Sequence, residues 1–174
     1  MTQRVGVALI LAAMCWPAGA RAQAPEAETD VMIRPRTRMG LAAGYGSPLG
    51  AAGTLELMYG LGADVRDDGD RVKALAGLLV QLHAGTTGGK LSLGLGARAH
   101  VRSEELRAPA GAGLKLSLAR TWRSPLGEAG QRTYLGPELE LSAFHVNLGF
   151  GALFRLRGDT GGPVLFSWDL GLRF

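Results

Sequence analysis

The sequence has almost no cysteine, since Cys15 is the single one among 174 residues. Cys15 lies in an N-terminal stretch with the pattern of an export signal. The chain that remains after removal of that stretch has no disulfide bond and no thiol for catalysis or metal binding. The sequence also has no continuous run of about 20 apolar residues, which a membrane-spanning helix needs. These absences exclude disulfide-stabilised folds, thiol enzymes and helical membrane proteins.

The first 22 residues have the pattern of a secretory signal peptide. Arg4 precedes an apolar run over residues 5–16, and Pro17 with the small residues Ala20 and Ala22 closes the segment. We predict cleavage after residue 22, and lipidation of Cys15 is the less favoured alternative. The predicted organisation is a signal peptide at 1–22, a periplasmic N-terminal segment at 23–35 and one domain at 36–174.

The sequence has only a small excess of basic over acidic residues. The net charge is +4 at pH 7, and it falls to about +2 when Arg4 and Arg21 leave with the signal peptide. This excess is too small for a surface that binds nucleic acid, and export from the cytoplasm also argues against that partner. We therefore expect no nucleic-acid partner.

The mature chain does contain apolar residues at every second position. Residues 91–101, 146–156 and 164–174 each place apolar side chains on one face and mostly polar or glycine residues on the other. Stretches of this kind are separated by short segments rich in Gly, Pro, Asp and Ser, so sequential strands should pair antiparallel. The eight predicted strands are 36–46, 50–62, 70–84, 89–103, 110–123, 131–143, 145–157 and 163–174.

The two faces of these strands differ in kind. One face is almost entirely Leu, Val, Ala and Phe, whereas the other is mainly glycine with a limited set of charges. An eight-stranded barrel has an interior just wide enough to be filled by side chains, and glycine suits such a crowded inner surface. The pattern therefore predicts an all-β, eight-stranded antiparallel up-and-down transmembrane β-barrel whose apolar face contacts lipid. A soluble barrel with its apolar face inside is the alternative.

The chain ends on an alternating apolar pattern and a terminal aromatic residue. The apolar positions of this ending are Phe166, Trp168, Leu170, Leu172 and Phe174. Together with the export signal and the eight strands, the ending resembles the small eight-stranded outer-membrane barrels of Gram-negative bacteria, of the OmpA/OmpX type.

That resemblance implies a location and partners. The five residues of the ending would be the assembly signal that the barrel-assembly machinery reads during insertion. The protein would lie in the outer membrane of a Gram-negative bacterium, in contact with lipid and lipopolysaccharide, and we expect a monomer with its C-terminus in the periplasm. The resemblance implies no single activity, because barrels of this class serve as anchors, adhesins, structural proteins and lipid-modifying enzymes.

The predicted inner face is rich in charge. Its basic residues are Arg38, Arg71, Lys73, Lys90, Arg98, Arg102, Lys115, Arg155, Arg157 and Arg173. Charges removed from water must be paired, so we predict an interior ion-pair network. Its members are Glu56, Lys73, Arg98, Lys115, Glu138, Glu140, Arg155 and Asp169. The favoured hypothesis is a closed, ion-paired interior in a protein with a structural or envelope-maintenance role, and a narrow anion-preferring solute pore is an alternative because bases outnumber acids.

The sequence contains no convincing catalytic group. Lipid A deacylases, whose architecture is similar, use a His and a Ser two residues apart, but here His145 is followed by Asn147 and the nucleophile is missing. The alternation also places His145 inside the barrel. His83 and His100 fall on inner faces near opposite ends, which disfavours a shared metal site. We expect no catalytic, cofactor-binding or metal-ligating residue, and an outer-membrane lipid-modifying enzyme of the deacylase type is the remaining alternative.

Overall fold

The computed structural model describes residues 30–67, 70–102, 107–122, 131–157 and 163–174. The predicted signal peptide, and residues 23–29 of the predicted periplasmic segment, lie outside these ranges. Eight antiparallel strands follow one another around a closed, barrel-like ring, which confirms the predicted strand number and order. They are β1 Asp30–Ser47, β2 Gly50–Asp67, β3 Asp70–Gly85, β4 Gly88–Arg102, β5 Arg107–Thr121, β6 Arg132–Ala143, β7 Val146–Arg157 and β8 Val164–Arg173. Within the described residues, no helix is long and apolar enough to cross a membrane.

Strand β1 begins at Asp30 rather than at the predicted residue 36. Residues 30–35 belong to this strand although Pro35 lacks the N–H that a central strand needs. β1 pairs with β2 from Asp30 to Gly46 but with β8 only from Ala42 to Ser47. The proline is tolerated because it lies in the part of β1 that has a described strand on one side only.

The two ends of the ring are built differently. We call the end that holds the β1–β2 and β3–β4 turns the turn end, and the end that holds Asp30 and Phe174 the terminal end. At the turn end, Pro48 and Leu49 fold inward and are buried. Thr87 fastens them, since its backbone N–H donates to the Leu49 carbonyl at 3.2 Å and its hydroxyl to the Pro48 carbonyl at 2.6 Å. The β1–β2 turn therefore covers this end of the interior.

Large apolar side chains lie mostly on the outside of the ring. Thirty-two of them are exposed, whereas six are buried among the described side chains, namely Leu49, Met58, Leu75, Leu79, Tyr134 and Leu153. The exposed set includes residues on every strand, such as Leu95 at 68% and Phe166 at 73% exposure. Soluble proteins bury most residues of this kind. The apolar face thus points outward, as the glycine-rich opposite face predicts.

The interior is layered from one end to the other. Met58, Leu75 and Leu79 form a buried apolar cluster on β2 and β3. A second cluster on β5, β6 and β7 contains Ala119, Tyr134 and Leu153. Along β2 and β3 the first cluster lies on the terminal-end side of Glu56 and Gln81, and along β5 and β6 the second lies on the turn-end side of Lys115 and Glu138. Buried Asp64 and Thr121 lie beyond the clusters, toward the terminal end and the turn end respectively. Polar side chains therefore occupy the middle of the ring, between two apolar clusters.

Four glycines cross the inner surface in one row. The strand registers pair Gly60 with Gly77, Gly77 with Gly96, and Gly96 with Gly113 on consecutive strands β2 to β5. The next residue of the same row, on β6, is Glu140. Because glycine has no side chain, this row leaves space above the sheet into which longer side chains from neighbouring rows can extend.

Candidate functional site: the buried polar interior

The interior network is centred on Glu140 of β6, which is 1% exposed. Its Oε1 accepts hydrogen bonds from Arg98 Nη2 at 2.5 Å and from Arg173 Nη2 at 2.9 Å. Its Oε2 accepts from Lys115 Nζ at 2.8 Å and from Gln81 Nε2 at 2.7 Å. A single carboxylate therefore ties β6 to four other strands.

A second carboxylate, Glu56 of β2, shares most of these partners. Its Oε2 accepts from Arg98 Nη2 at 3.0 Å, from Arg173 Nη2 at 2.5 Å and from Gln81 Nε2 at 2.7 Å. Gln81 in turn accepts a hydrogen bond from Lys115 Nζ at 2.7 Å through its Oε1. Each arginine thus bridges two carboxylates, which offsets part of the cost of burying the four charges.

Glu138 organises a second group of polar side chains on the same strand, nearer the turn end. Lys90 Nζ donates to it at 2.9 Å, and the hydroxyls of Ser117 and Ser167 also donate to its carboxylate. Lys90 lies 3.7 Å from Asp169 Oδ2 as well. This group connects β4, β5 and β8 to β6.

Glycines on neighbouring strands make room for these charged side chains. Gly111 lies opposite Arg98 in the register, and a Cβ there would be 2.5 Å from Arg98 Cδ. Gly149 lies opposite Asp169, and a Cβ there would overlap its carboxylate. The alternation of glycine with charge in the sequence is therefore a packing pattern, in which one strand supplies the side chain and the next supplies the space.

The structure places six of the eight predicted network residues in these two groups. They are Glu56, Arg98, Lys115, Glu138, Glu140 and Asp169. Lys73 is instead exposed, three residues after the start of β3 at the terminal end. Arg155 is half-buried on β7 and paired in register with Tyr134, away from the Glu140 group.

Three uncharged members of the network were missed from the sequence. Gln81, Ser117 and Ser167 are 1% exposed or less, and each donates to a buried carboxylate. The prediction counted charges only. All three fall on inner-facing positions of their strands, so a search for any hydrogen-bonding side chain on that face would have found them.

The buried ion pairs balance in charge. Four carboxylates, Glu56, Glu138, Glu140 and Asp169, are joined to four bases, Lys90, Arg98, Lys115 and Arg173. The excess of bases predicted for the interior therefore does not lie in this network. Arg38 and Arg155 are half-buried, and Lys73 and Arg157 are exposed.

A cavity of about 30 Å³ lies beside the Glu138 group, against the β1–β8 seam. Its polar lining includes Thr54, His83, Lys90, Asn147 and Asp169. His83 Nδ1 is 2.8 Å from the Thr54 hydroxyl, and Asn147 Nδ2 donates to Asp169 at 3.3 Å. A space of this size holds about two water molecules and is too small for a sugar or an acyl chain.

The prediction that His145 lies inside the barrel is wrong. His145 and Phe144 form the two-residue β6–β7 turn with φ values of 83° and 52°, and His145 is exposed. Turns with two positive φ values favour Asn-Gly or Asp-Gly, so the residues Phe144 and His145 do not indicate a turn of this kind. His145 lies near the Arg173 carbonyl, Nδ1 to O 3.2 Å, whereas Asn147 is buried beside Asp169. The two residues therefore do not share a site.

The remaining histidines and acids do not assemble into a metal site. Within the described part of the chain, no group of three or more His, Cys, Asp or Glu side chains is placed to hold a metal ion. His83 is buried on β3, whereas His100 is exposed on β4.

The five residues of the predicted assembly signal all lie on the outer face of β8 or at its end. Their exposures range from 43% at Trp168 to 77% at Phe174. The residues between them, such as Ser167 and Arg173, point inward and are buried. Comparisons of the chain with protein-family models, with curated proteins and with solved structures found no match.

Proposed function

We propose that this protein is an integral transmembrane β-barrel of the outer membrane of a Gram-negative bacterium, with a structural or envelope-maintenance role. The observation that carries the proposal is the reversed distribution of side chains, with large apolar residues outside and ion pairs inside. Covering one such apolar side chain is worth about 1.5–3 kcal/mol. A hydrocarbon layer around the ring would cover most of the exposed apolar side chains at once.

The ending of the chain supports the outer membrane as the location. Helical proteins span most other membranes, whereas closed barrels avoid unpaired backbone in lipid by pairing every strand. The alternating apolar residues up to Phe174 are typical of a signal for the barrel-assembly machinery. Lipid and lipopolysaccharide are then the partners of the outer face, and the predicted signal peptide, which lies outside the described residues, would direct export.

The interior supports a structural role over transport. A passage for solutes needs a continuous polar path, but the polar middle of this ring lies between two apolar clusters, and Leu49 is buried at the turn end. The network also has equal numbers of acids and bases, so it offers little reason for anion preference. The lipid-modifying alternative has no nucleophile beside His145.

Arginine scanning of the outer face tests the membrane proposal. Arginine near the midplane of a membrane barrel costs on the order of 2–4 kcal/mol, so Leu93→Arg and Leu148→Arg should strongly reduce refolding into lipid vesicles. Gln131→Arg, which adds the same side chain at the exposed turn end, is the matched control and should refold like wild type. Equal insertion of all three variants, with a monomeric ring in detergent-free buffer, would favour the soluble barrel instead.

Planar-bilayer conductance tests the role separately. Purified, refolded protein should give a closed trace, because apolar clusters flank the ionic middle. Stepwise ion conductance would replace the structural role with a pore while leaving the membrane location intact.

A further inference from the structure

One strand edge of the ring is uncovered at the terminal end. β1 has no described strand on its β8 side from Asp30 to Leu41. The last bond across this seam runs from the Phe174 N–H to the Leu41 carbonyl at 2.8 Å. Since backbone groups alternate in direction along a strand, those of Met39 and Thr37 also point away from β2. Their N–H and C=O groups are available for a further strand.

The inner face beside this edge is basic. Arg34, Arg36 and Arg38 alternate along β1, and Arg36 lies 3.5 Å from Asp64. Arg34 is exposed and Arg38 is half-buried, and no carboxylate among the described side chains lies within ion-pair distance of either, although Arg38 is near enough to Glu56, Arg98 and Arg173 to interact with their charges. Lys73, opposite Asp64 in the register, adds an exposed ammonium group to the same face.

The outer face of the same segment is apolar. Ile33 is 47% exposed and Met39 is 70% exposed. A strand added to this edge would therefore have basic neighbours on one face and apolar neighbours on the other. Cross-strand neighbours lie about 4.5–5.5 Å apart at Cβ, close enough for ion pairs and apolar contacts.

We infer that the uncovered edge of β1 binds an extended segment of a partner protein in which carboxylate side chains alternate with apolar ones. This interaction goes beyond the structural role proposed above. Backbone hydrogen bonds to Thr37 and Met39 would supply affinity, as in other cases of strand addition, and the alternate side chains would supply specificity. The carboxylates would face Arg34 and Arg38. Pro35 offers a carbonyl but no N–H at the middle of the edge, so the matching segment is short.

A second copy of the chain does not fit this edge. Antiparallel pairing of two β1 edges would place Arg34, Arg36 and Arg38 of the two copies against one another, and like charges in that position are destabilising. The twofold axis of such a pair is perpendicular to the sheet. Two barrels related in that way would enter one membrane in opposite directions, an objection that rests on the proposed membrane location.

Synthetic peptides test this inference on the refolded full-length ring in detergent. The probe is a short labelled peptide that alternates valine and glutamate. One comparison peptide replaces glutamate with lysine, and a second has the same composition in two blocks, which removes the alternation. Fluorescence anisotropy should show at least tenfold tighter binding of the alternating acidic peptide than of either comparison. Equal binding of the acidic and basic peptides would overturn the inference.

Two pairs of variants test the backbone and the charges of the edge. Thr37→Pro removes an N–H donor and should weaken binding at least fivefold, whereas Thr37→Ala keeps the donor and should bind within twofold of wild type. Arg34→Glu should weaken binding at least fivefold, whereas Arg120→Glu makes the same change at an exposed position near the turn end and should not. Unchanged binding by both Thr37→Pro and Arg34→Glu would overturn the inference.

The outcome is separable from that of the proposed function. Peptide binding in detergent requires the folded ring but no membrane, and circular dichroism of each variant verifies the fold. If the peptide does not bind but arginine scanning gives the expected results, the inference about the β1 edge is rejected and the proposal of a membrane barrel stands. If the peptide binds but the arginine variants insert like wild type, the inference about the β1 edge stands and the proposal of a membrane barrel is rejected.

Discussion

Arg98 on β4 donates a hydrogen bond of 2.5 Å to Glu140 on β6, although β5 lies between those two strands. The contact passes over two glycines of β5, Gly111 and Gly113, which are paired in register with Arg98 and Glu140 respectively. Side chains therefore connect strands that share no backbone hydrogen bonds. Such links run across the interior of the ring. They resist a change in the distance between β4 and β6, which no backbone hydrogen bond joins directly.

Removal of the central carboxylate should be strongly destabilising. Glu140→Ala leaves Arg98, Lys115 and Arg173 buried with fewer partners, and loss of one member of a buried ion pair costs about 3–5 kcal/mol. The free energy of unfolding, measured by urea titration of the refolded protein, should fall by that amount. Gln131→Ala is the control, because the hydrogen bond that Gln131 accepts from Arg120 is exposed and 3.3 Å long. A loss of similar size at both positions would contradict the central place of Glu140.

Alanine at Gly94 should be costly. In the structure, a Cβ on Gly94 would overlap the Leu114 carbonyl oxygen of the next strand. Overpacking of this kind costs about 1–3 kcal/mol. Gly53→Ala is the control, since a Cβ there has nothing within 4 Å, and it should be neutral or stabilising by up to about 1 kcal/mol. Equal urea midpoints for the two variants would show that β4 and β5 can separate to accept a side chain.

Deletion of Phe174 should separate folding from delivery. The deletion removes one N–H donor to Leu41 and a ring that is 77% exposed, so the stability lost is about that of one hydrogen bond, 0.5–1.5 kcal/mol. We expect near-normal refolding into detergent but a large loss of protein from the outer membrane of growing cells. Phe144→Ala removes another exposed aromatic at the terminal end, outside the predicted signal, and should be delivered normally. Wild-type amounts of the deletion variant in the outer membrane would contradict the assembly-signal hypothesis.

Heating should change the mobility of the refolded protein on a detergent gel. Most strands of the ring are paired on both sides, so few edges are available at which unfolding could begin at room temperature. Unboiled samples should migrate differently from boiled ones and show a β signal in circular dichroism. Identical migration without a β signal would show that the ring does not persist in detergent.

Much of the fold could be predicted because a strand alternates with a period of two and each break carries turn residues. The start of β1 differs from the predicted residue 36. A strand can continue through Pro35 only where the missing N–H faces no paired strand, and the position of β8 determines that. The place of His145 was missed because Phe144 and His145 are unusual residues for a turn with two positive φ values. Each miss depends on a neighbouring strand or on a backbone conformation that the local sequence does not encode.

For the interior, the sequence predicts which residues point inward but not which of them contact one another. Alternation shows that Glu56, Arg98 and Glu140 point inward, but not that one arginine reaches two carboxylates on different strands. That outcome depends on side-chain length, on the register of several strands and on the empty space above glycines. The uncharged partner Gln81 was missed for the same reason. Its hydrogen bonds to Glu56, Glu140 and Lys115 depend on where the strands place it, and not on a charge that the sequence shows.

The row of glycines also has a consequence for how this sequence can change over evolutionary time. Leu79 Cδ2 would lie 3.2 Å from a Cβ at Gly96 and 3.0 Å from one at Gly113, so a single side chain fills the space of two positions. Alanine at either glycine therefore requires the Leu79 side chain to shift by a few tenths of an ångström. A smaller residue at 79 would leave room for a side chain at both 96 and 113. In related sequences we expect positions 79, 96 and 113 to covary. A smaller residue at 79 on β3 should occur together with larger residues at 96 on β4 and 113 on β5, so that the total side-chain volume stays the same.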